Sequence, residues 1–439
     1  MASRRPVRPV YAWYVVGVLT LALVSSFVDR QILSLMVGPI KRDLGVSDSK
    51  MSLLGGASFA LFYTFLGLPI GRLADQKSRR GIIGVGVAVW SLMTALCGMA
   101  RSYTELFLAR IGVGVGEASL SPPAYSLIAD YFPKERLGTA IGVYSLGIYL
   151  GSGLALALGG WIVGKVSGTE LWTLPIVGAT RPWQVVFFVI GLPGLLIALL
   201  LRTVKEPERT GGQRPAVPLR AVAGYMRSHA RAFLSHNLGF GFIALVNYGS
   251  AFWVPTFLVR HFGWTITRAG YVYGLSTMTL GVLGVVAGGW LGDRLLRAGY
   301  LDAKLRIGII AALGVGACAI LMFTAESEAI LFAGLLPSTF FSSFGFGAAA
   351  AGIQEITPPA VRAQASSVYL FVVNLVGLGL GPSAVSTLTD YWFKNEAAVG
   401  QSLLIVAVAS LVLSILCFTT GLDSFRRAAR EVGHWSAPA

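Results

Sequence analysis

Twelve apolar runs, each of roughly 20 residues or more and so long enough to cross a bilayer, limit what this 439-residue chain can become. They lie at about 11–39, 51–71, 81–100, 103–129, 137–164, 183–201, 232–259, 269–292, 305–325, 328–353, 363–389 and 399–421. Inside hydrocarbon each backbone amide needs a partner within its own segment, so such runs read as spanning helices. The expected fold is an all-α membrane protein of twelve transmembrane helices. A content of 55% hydrophobic and 13% charged residues excludes an ordinary soluble domain. Arg4, Arg5 and Arg8 before the first run mimic a signal peptide. That run is far longer than a signal core and contains Asp29 and Arg30, so it is kept as the first span.

A net charge of +15 in one patch would suggest nucleic acid, but the basic residues sit in short clusters between spans and act as a topology signal. The amino terminus, the even-to-odd loops and the tail hold 24 Lys and Arg, against 9 in the other loops. Both termini are therefore expected on the cytoplasmic side of the cell (inner) membrane. The longest loop, 202–231, is rich in basic residues and carries Pro207, Gly211, Gly212, Pro215 and Pro218. It reads as a cytoplasmic linker between two six-helix halves, 1–201 and 232–422, with a tail at 423–439. Within it, 219–231 has two readings, a basic amphipathic helix on the inner leaflet or a solvated loop. GRLAD at Gly71–Asp75 recurs as GWLGD at Gly289–Asp293, and Pro133 with Arg136 recurs as Pro359 with Arg362, in the same order. Duplicated halves imply a pseudo-symmetric transporter with its site between them near mid-membrane.

Four charges interrupt the spans. Asp29 and Arg30 lie halfway along the first, and Arg110 and Glu117 lie seven residues apart in the fourth, on nearly one helix face. A charge near the bilayer centre costs about 2.5–3.5 kcal/mol on insertion scales, so each is expected to face a bundle interior or wet cavity and to have a partner. Burial and a nearby guanidinium act on a carboxylate in opposite directions, which makes Asp29 and Glu117 proton-coupling candidates. Arg30 and Arg110 keep their charge and present forked donors suited to carboxylate or phosphate, which makes them candidates for binding an anionic headgroup. The alternative is a fixed ion-pair network pinning the first span to the fourth.

Other functions find little support. His229, His236, His261 and His434 fall at span ends, in loops or in the tail without metal-ligand spacing, and no Ser/His/Asp or Cys/His constellation is visible. Cys97, Cys318 and Cys417 stand singly in separate spans as small core residues. Phosphate-cradling GxxxxGK[ST] is absent. The chain is expected to be neither an enzyme nor an ATP-driven pump, and to need no cofactor or metal.

GRLADQKSRR at Gly71–Arg80 and LFLARIGVGVGEA at Leu106–Ala118 resemble the second-to-third-span loop and fourth-span signatures of the major facilitator superfamily. VDR in the first span, RIGVGVGEASLSPPAYSLIADYF at Arg110–Phe132 and YSLGIYLGSGLALALGG at Tyr144–Gly160 resemble the Spinster-like branch more narrowly. This resemblance implies a monomeric carrier working by alternating access on a sphingolipid-like or lysophospholipid substrate. Resemblance and local charge together mark Asp75, Arg136, Asp293 and Arg362 as a cytoplasmic gate. Gly112, Gly114, Gly116, Gly147, Gly151 and Gly153, with Gly377, Gly379, Gly381 and a kink at Pro382, either let spans bend and slide or pack them tightly. Asn247 and Asn374 read as packing residues. The expected partners are protons, the bilayer and an amphiphilic lipid, whose tail would follow an apolar path between the halves. The alternative is a proton-coupled carrier of small organic solutes or drugs.

Overall fold

The computed structural model describes residues 9–166, 171–175, 177–207, 219–359 and 361–432. Arg4, Arg5, Arg8, Gly211, Gly212, Pro215, Pro218 and His434 lie outside the described residues. The chain divides into two compact units, Met1–Gly212 with Thr265–Leu275, and Gln213–Trp264 with Ser276–Ala439.

The first unit contains helices α1 (Pro9–Gln31), α2 (Leu33–Leu44), α3 (Asp48–Ser52), α4 (Ser58–Gln76), α5 (Arg79–Cys97), α6 (Tyr103–Glu117), α7 (Ser121–Tyr131), α8 (Lys134–Val166) and α9 (Pro182–Leu200). A two-stranded antiparallel hairpin, Trp172–Leu174 with Gly178–Thr180, joins α8 to α9. α1 stops one residue after Arg30, and at the joint the Ser34 hydroxyl donates to the Gln31 carbonyl at 2.7 Å. α6 starts on Ser102, whose hydroxyl accepts from the Glu105 amide at 3.3 Å, and ends at Glu117. The expected continuous span over 103–129 is thus two helices. Pro122 and Pro123 lie in the first turn of α7 and have no amide with which to continue the ladder of α6.

Two glycine contacts set the packing of this unit. A Cβ added at Gly116 would lie 2.7 Å from the Trp90 nitrogen and 2.9 Å from the Gly86 carbonyl, so α5 and α6 meet backbone to backbone. A Cβ at Gly151 would lie 2.7 Å from the Val24 carbonyl, which sets α8 directly against α1. Both seams run beside the charged residues.

The second unit is built on α10 (Leu219–Ser228), α11 (Ala230–Phe262), α13 (Val282–Arg297), α14 (Ala303–Phe323), α15 (Glu328–Phe344), α16 (Phe346–Glu355), α17 (Arg362–Val373), α18 (Gly381–Thr387) and α19 (Val399–Glu431); α12 is Ile266–Ser276. α11 and α19 are tied by Ser414, whose hydroxyl donates to the Gly239 carbonyl at 2.9 Å, above a core containing Trp253, Phe257, Phe418 and Phe425. The kink expected at Pro382 is a wide π-helical turn over Asn374–Gly379 followed by a fresh helix with Pro382 in its first turn. The Trp253 indole caps the Pro382 carbonyl at 3.0 Å. Asn247 donates to the Ser342 carbonyl at 2.8 Å, a packing hydrogen bond. α10 buries Val222 and Tyr225 within its own unit, and the Tyr225 hydroxyl donates to the Ile356 carbonyl at 2.8 Å. The stretch is thus a helix and not a solvated loop, with Val222 and Tyr225 turned toward protein.

Ten helical runs among the described residues are long and apolar enough to cross a membrane. The expected spans at 51–71 and 103–129 are not among them. The first is helical in pieces, α3, a π-helical turn at Leu53–Ala57 and α4, and the second is the broken α6–α7.

Candidate functional site

Helical spacing on α1 places Ser26 and Arg30 four residues apart on one face. Both turn to the same carboxylate oxygen: Arg30 Nε donates to Glu117 Oε2 at 2.5 Å, and Ser26 Oγ donates to that oxygen at 2.5 Å. Glu117 sits on the last residue of α6, carried there by the Gly86–Gly116 seam. Asp29 points elsewhere on α1; its backbone carbonyl accepts from Arg110 Nη1 at 3.1 Å. The sequence-predicted quartet is therefore brought together.

The four are unequally enclosed. Asp29, Arg110 and Glu117 have relative exposures of 1%, 0% and 1%, whereas the Arg30 side chain keeps 13%. The Arg30 guanidinium lies 4.9 Å from the ring centre of Phe27, 4.5 Å from Phe59 and 4.6 Å from Tyr63. Each such contact contributes about 0.5–2 kcal/mol, rising as the cation is desolvated. Asp29 Oδ1, Glu117 Oε1, and Arg110 Nε and Nη2 are buried without a hydrogen-bond partner among the described residues. Leaving a buried polar atom unpaired costs about 1–3 kcal/mol, more for a charged group, so the cluster is not a saturated structural network.

Ser26, Phe59 and Tyr63 were not anticipated. Ser26 had a signal in its four-residue offset from Arg30, while aromatic residues in an apolar span have none.

A second charged cluster closes the other end of α5. Arg79, 2% exposed, pairs with Asp130 and, at 2.9 Å, with Glu206. Glu206 also accepts from the Ser78 hydroxyl at 2.8 Å and the Arg80 amide at 3.0 Å. Partial burial pushes the Glu206 carboxyl up, but these donors outweigh it and hold it below the ordinary carboxylate range. A lowered folded-state value gives a stabilisation that is complete at neutral pH and lost as pH falls through that value. Glu206→Gln should therefore lower the melting temperature at pH 7, and the difference from the parent should fade below about pH 4. A difference unchanged at about pH 3 would rule out an ionic latch.

Of the expected gate residues, Asp75 lies in α4 but its side chain is outside the described residues, and Arg136 is exposed near the start of α8. Asp293 is paired with Lys304 at 3.2 Å, and Arg362 Nε donates to the Thr357 carbonyl at 3.0 Å. Lys304, buried at the start of α14 and also 3.6 Å from Glu355, is the cation that sequence reasoning missed.

The Major Facilitator Superfamily model matches residues 19–382. The chain belongs to the Major Facilitator Superfamily. It is accordingly a multi-pass membrane transporter and not an enzyme. An MFS-type efflux pump of Mycolicibacterium smegmatis is 29% identical over 95% of this chain and 94% of its own length. The sphingosine-1-phosphate transporter SPNS2 of Danio rerio is 24% identical over 96% of this chain and 87% of its own. A solved bacterial homolog of the human lysosomal transporter Spinster, inward-facing and unoccupied, superposes with a TM-score of 0.76 at 28% identity and covers 100% of both chains. Within the superfamily the chain thus resembles the Spinster-like branch, and the quartet occupies the first- and fourth-span motifs on which that resemblance rests.

Proposed function

We propose that this transporter moves an amphiphilic lipid with an anionic or zwitterionic phosphate headgroup, lysophospholipid or sphingolipid-like, in exchange with or alongside protons, by alternating access. The observation that carries this reading is the Arg30–Glu117 pair: a partly open guanidinium on an aromatic bed, ion-paired with a titratable carboxylate. Protonation of Glu117 removes the charge that occupies Arg30 and releases its donors to a phosphate. Asp29 is the second proton-coupling residue, and Arg110, locked to the Asp29 carbonyl, stands behind Arg30 as the other headgroup cation. The likeness to the sphingosine-1-phosphate transporter SPNS2 supports a lipid substrate.

The test is uptake into proteoliposomes of lysolipids, sphingoid lipids and small drugs under an imposed pH gradient. Gradient-driven movement of a phosphate-bearing lysolipid is expected, and transport of drugs alone would reject the lipid reading. That outcome would favour the second reading, a proton-coupled carrier of small organic solutes or drugs, with the 29% identity to an MFS-type efflux pump then the more telling likeness.

Asp75, Arg136, Asp293 and Arg362 are proposed as the cytoplasmic gate of this cycle. Asp75→Asn is expected to loosen the state closed to the cytoplasm, read as a rise in cysteine labelling from that side; labelling equal to the parent would remove Asp75 from the gate.

A further inference from the structure

We propose that the first unit carries a separate site for one anionic phospholipid, at the end of α9 opposite Glu206 and roughly 28 Å from it by helix rise. A cleft of 280 Å³ opens there between α2, α8 and the start of α9. Its floor is apolar, with Met36, Val163, Val166 and Val186 all buried. Its rim is charged, formed by Arg42, Asp43 and Arg181.

The rim is not neutral. Asp43 uses one carboxylate oxygen for Arg181 and accepts from the Trp183 indole on the other at 2.7 Å. Trp183 is 3% exposed, so Asp43 is held from a fixed position, and among the described residues it is matched by a single cation. Arg42 is exposed and has no ion-pair partner among the described residues, and the Arg181 side chain keeps 46% exposure with donors to spare. One net positive charge therefore overhangs an apolar trough.

The surroundings select the ligand. α2, α8 and α9 all belong to runs apolar enough to span a membrane, and the rim residues lie at the ends of those runs, where phospholipid headgroups reside. A phosphodiester would satisfy Arg42 and Arg181 through forked hydrogen bonds, and the first part of an acyl chain would cover the floor. A free anion would meet the rim and leave the floor bare. None of the four charges of the transport cluster lines this cleft, so the proposal stands apart from the assignment of the transported substrate.

The experiment is thermal unfolding of the full-length protein in neutral detergent, titrated with short-chain phosphatidylglycerol, phosphatidylcholine or inorganic phosphate. Phosphatidylglycerol is expected to raise the melting temperature by several degrees, with little response to the other two. Arg42→Ala should weaken the apparent affinity about tenfold or more. Val163→Trp, which fills the floor, should remove the response, while Arg101→Ala, an exposed arginine outside the cleft, should keep it. An equal response to inorganic phosphate would overturn the lipid assignment. So would a phosphatidylglycerol response unchanged in Arg42→Ala, or one equally reduced in Arg101→Ala. A response lost in Arg30→Gln but kept in Arg42→Ala would place the lipid at the transport cluster and end the proposal.

Discussion

Glu117→Gln is expected to abolish the acceleration of lipid transport by an imposed pH gradient while leaving a folded protein. The amide is nearly the shape of the carboxyl and still accepts from Ser26 and Arg30, so the α1–α6 contact is retained. What is lost is the exchange of a proton. The substitution should also remove the negative charge that Arg30 faces at Glu117, and a guanidinium relieved of that charge binds an anion better. At neutral pH the apparent KM for a phosphate-bearing lysolipid should fall, because the Arg30 hydrogen bond to a neutral amide is weaker than one to a carboxylate and yields more readily to a phosphate. Lost gradient dependence together with tighter binding separates a coupling residue from a merely structural one, which would weaken both. Asp29→Asn should also blunt the gradient response. The two losses should be unequal, because Glu117 is joined to Arg30 through its carboxylate whereas Asp29 meets Arg110 through its backbone. Gradient dependence intact in both variants would refute proton coupling at this site.

Arg30→Ala is expected to depress transport of a phosphate-bearing lysolipid by about 10- to 100-fold relative to a neutral analogue of equal chain length, the loss of one or two charge-assisted hydrogen bonds. Arg30→Lys should recover part of the rate but little of the discrimination, since an ammonium lacks the planar fork. Arg110→Ala should act differently. Arg110 has no exposed surface, and removing it empties a packed position, so stability should drop along with activity. If Arg110 also serves the headgroup, its loss will fall harder on the phosphate-bearing lipid; equal impairment of both substrates would make it a structural residue. Equal impairment by Arg30→Ala would remove the headgroup assignment altogether.

The quartet was legible because a charge in an apolar run is conspicuous, and its convergence followed from seven-residue spacing on α6 and from the cost of isolation. The aromatic bed under Arg30 was hidden, since Phe59 and Tyr63 look like any lipid-facing or core aromatic. The break after Glu117 was written in Pro122 and Pro123, but apolarity continues through them and masks a change of helix. At Asp293 the loop repeat directed attention to Arg362, whereas the partner is Lys304. The lysine opens a helix eleven residues on, and only tertiary packing brings it back. α10 has the composition of an interfacial helix, and what decides its surroundings is a hydroxyl contact from Tyr225 to Ile356, which no local pattern announces.

The Gly86–Gly116 seam carries a mechanical meaning. With backbone atoms under 3 Å from where a methyl would stand on either side, there is no slack in which α5 and α6 could slide, and the glycines that suggested pliancy act as rivets. The two helices form one stiff beam with Glu117 at its tip. Any displacement of that carboxylate during the cycle must then be delivered by the turn just beyond it, Ala118–Leu120, and by the joint at Ile32 beneath Arg30. The ion pair is thus clamped between two arms, each of which breaks beside it, so that making or breaking a single contact bears on the angle of whole helices.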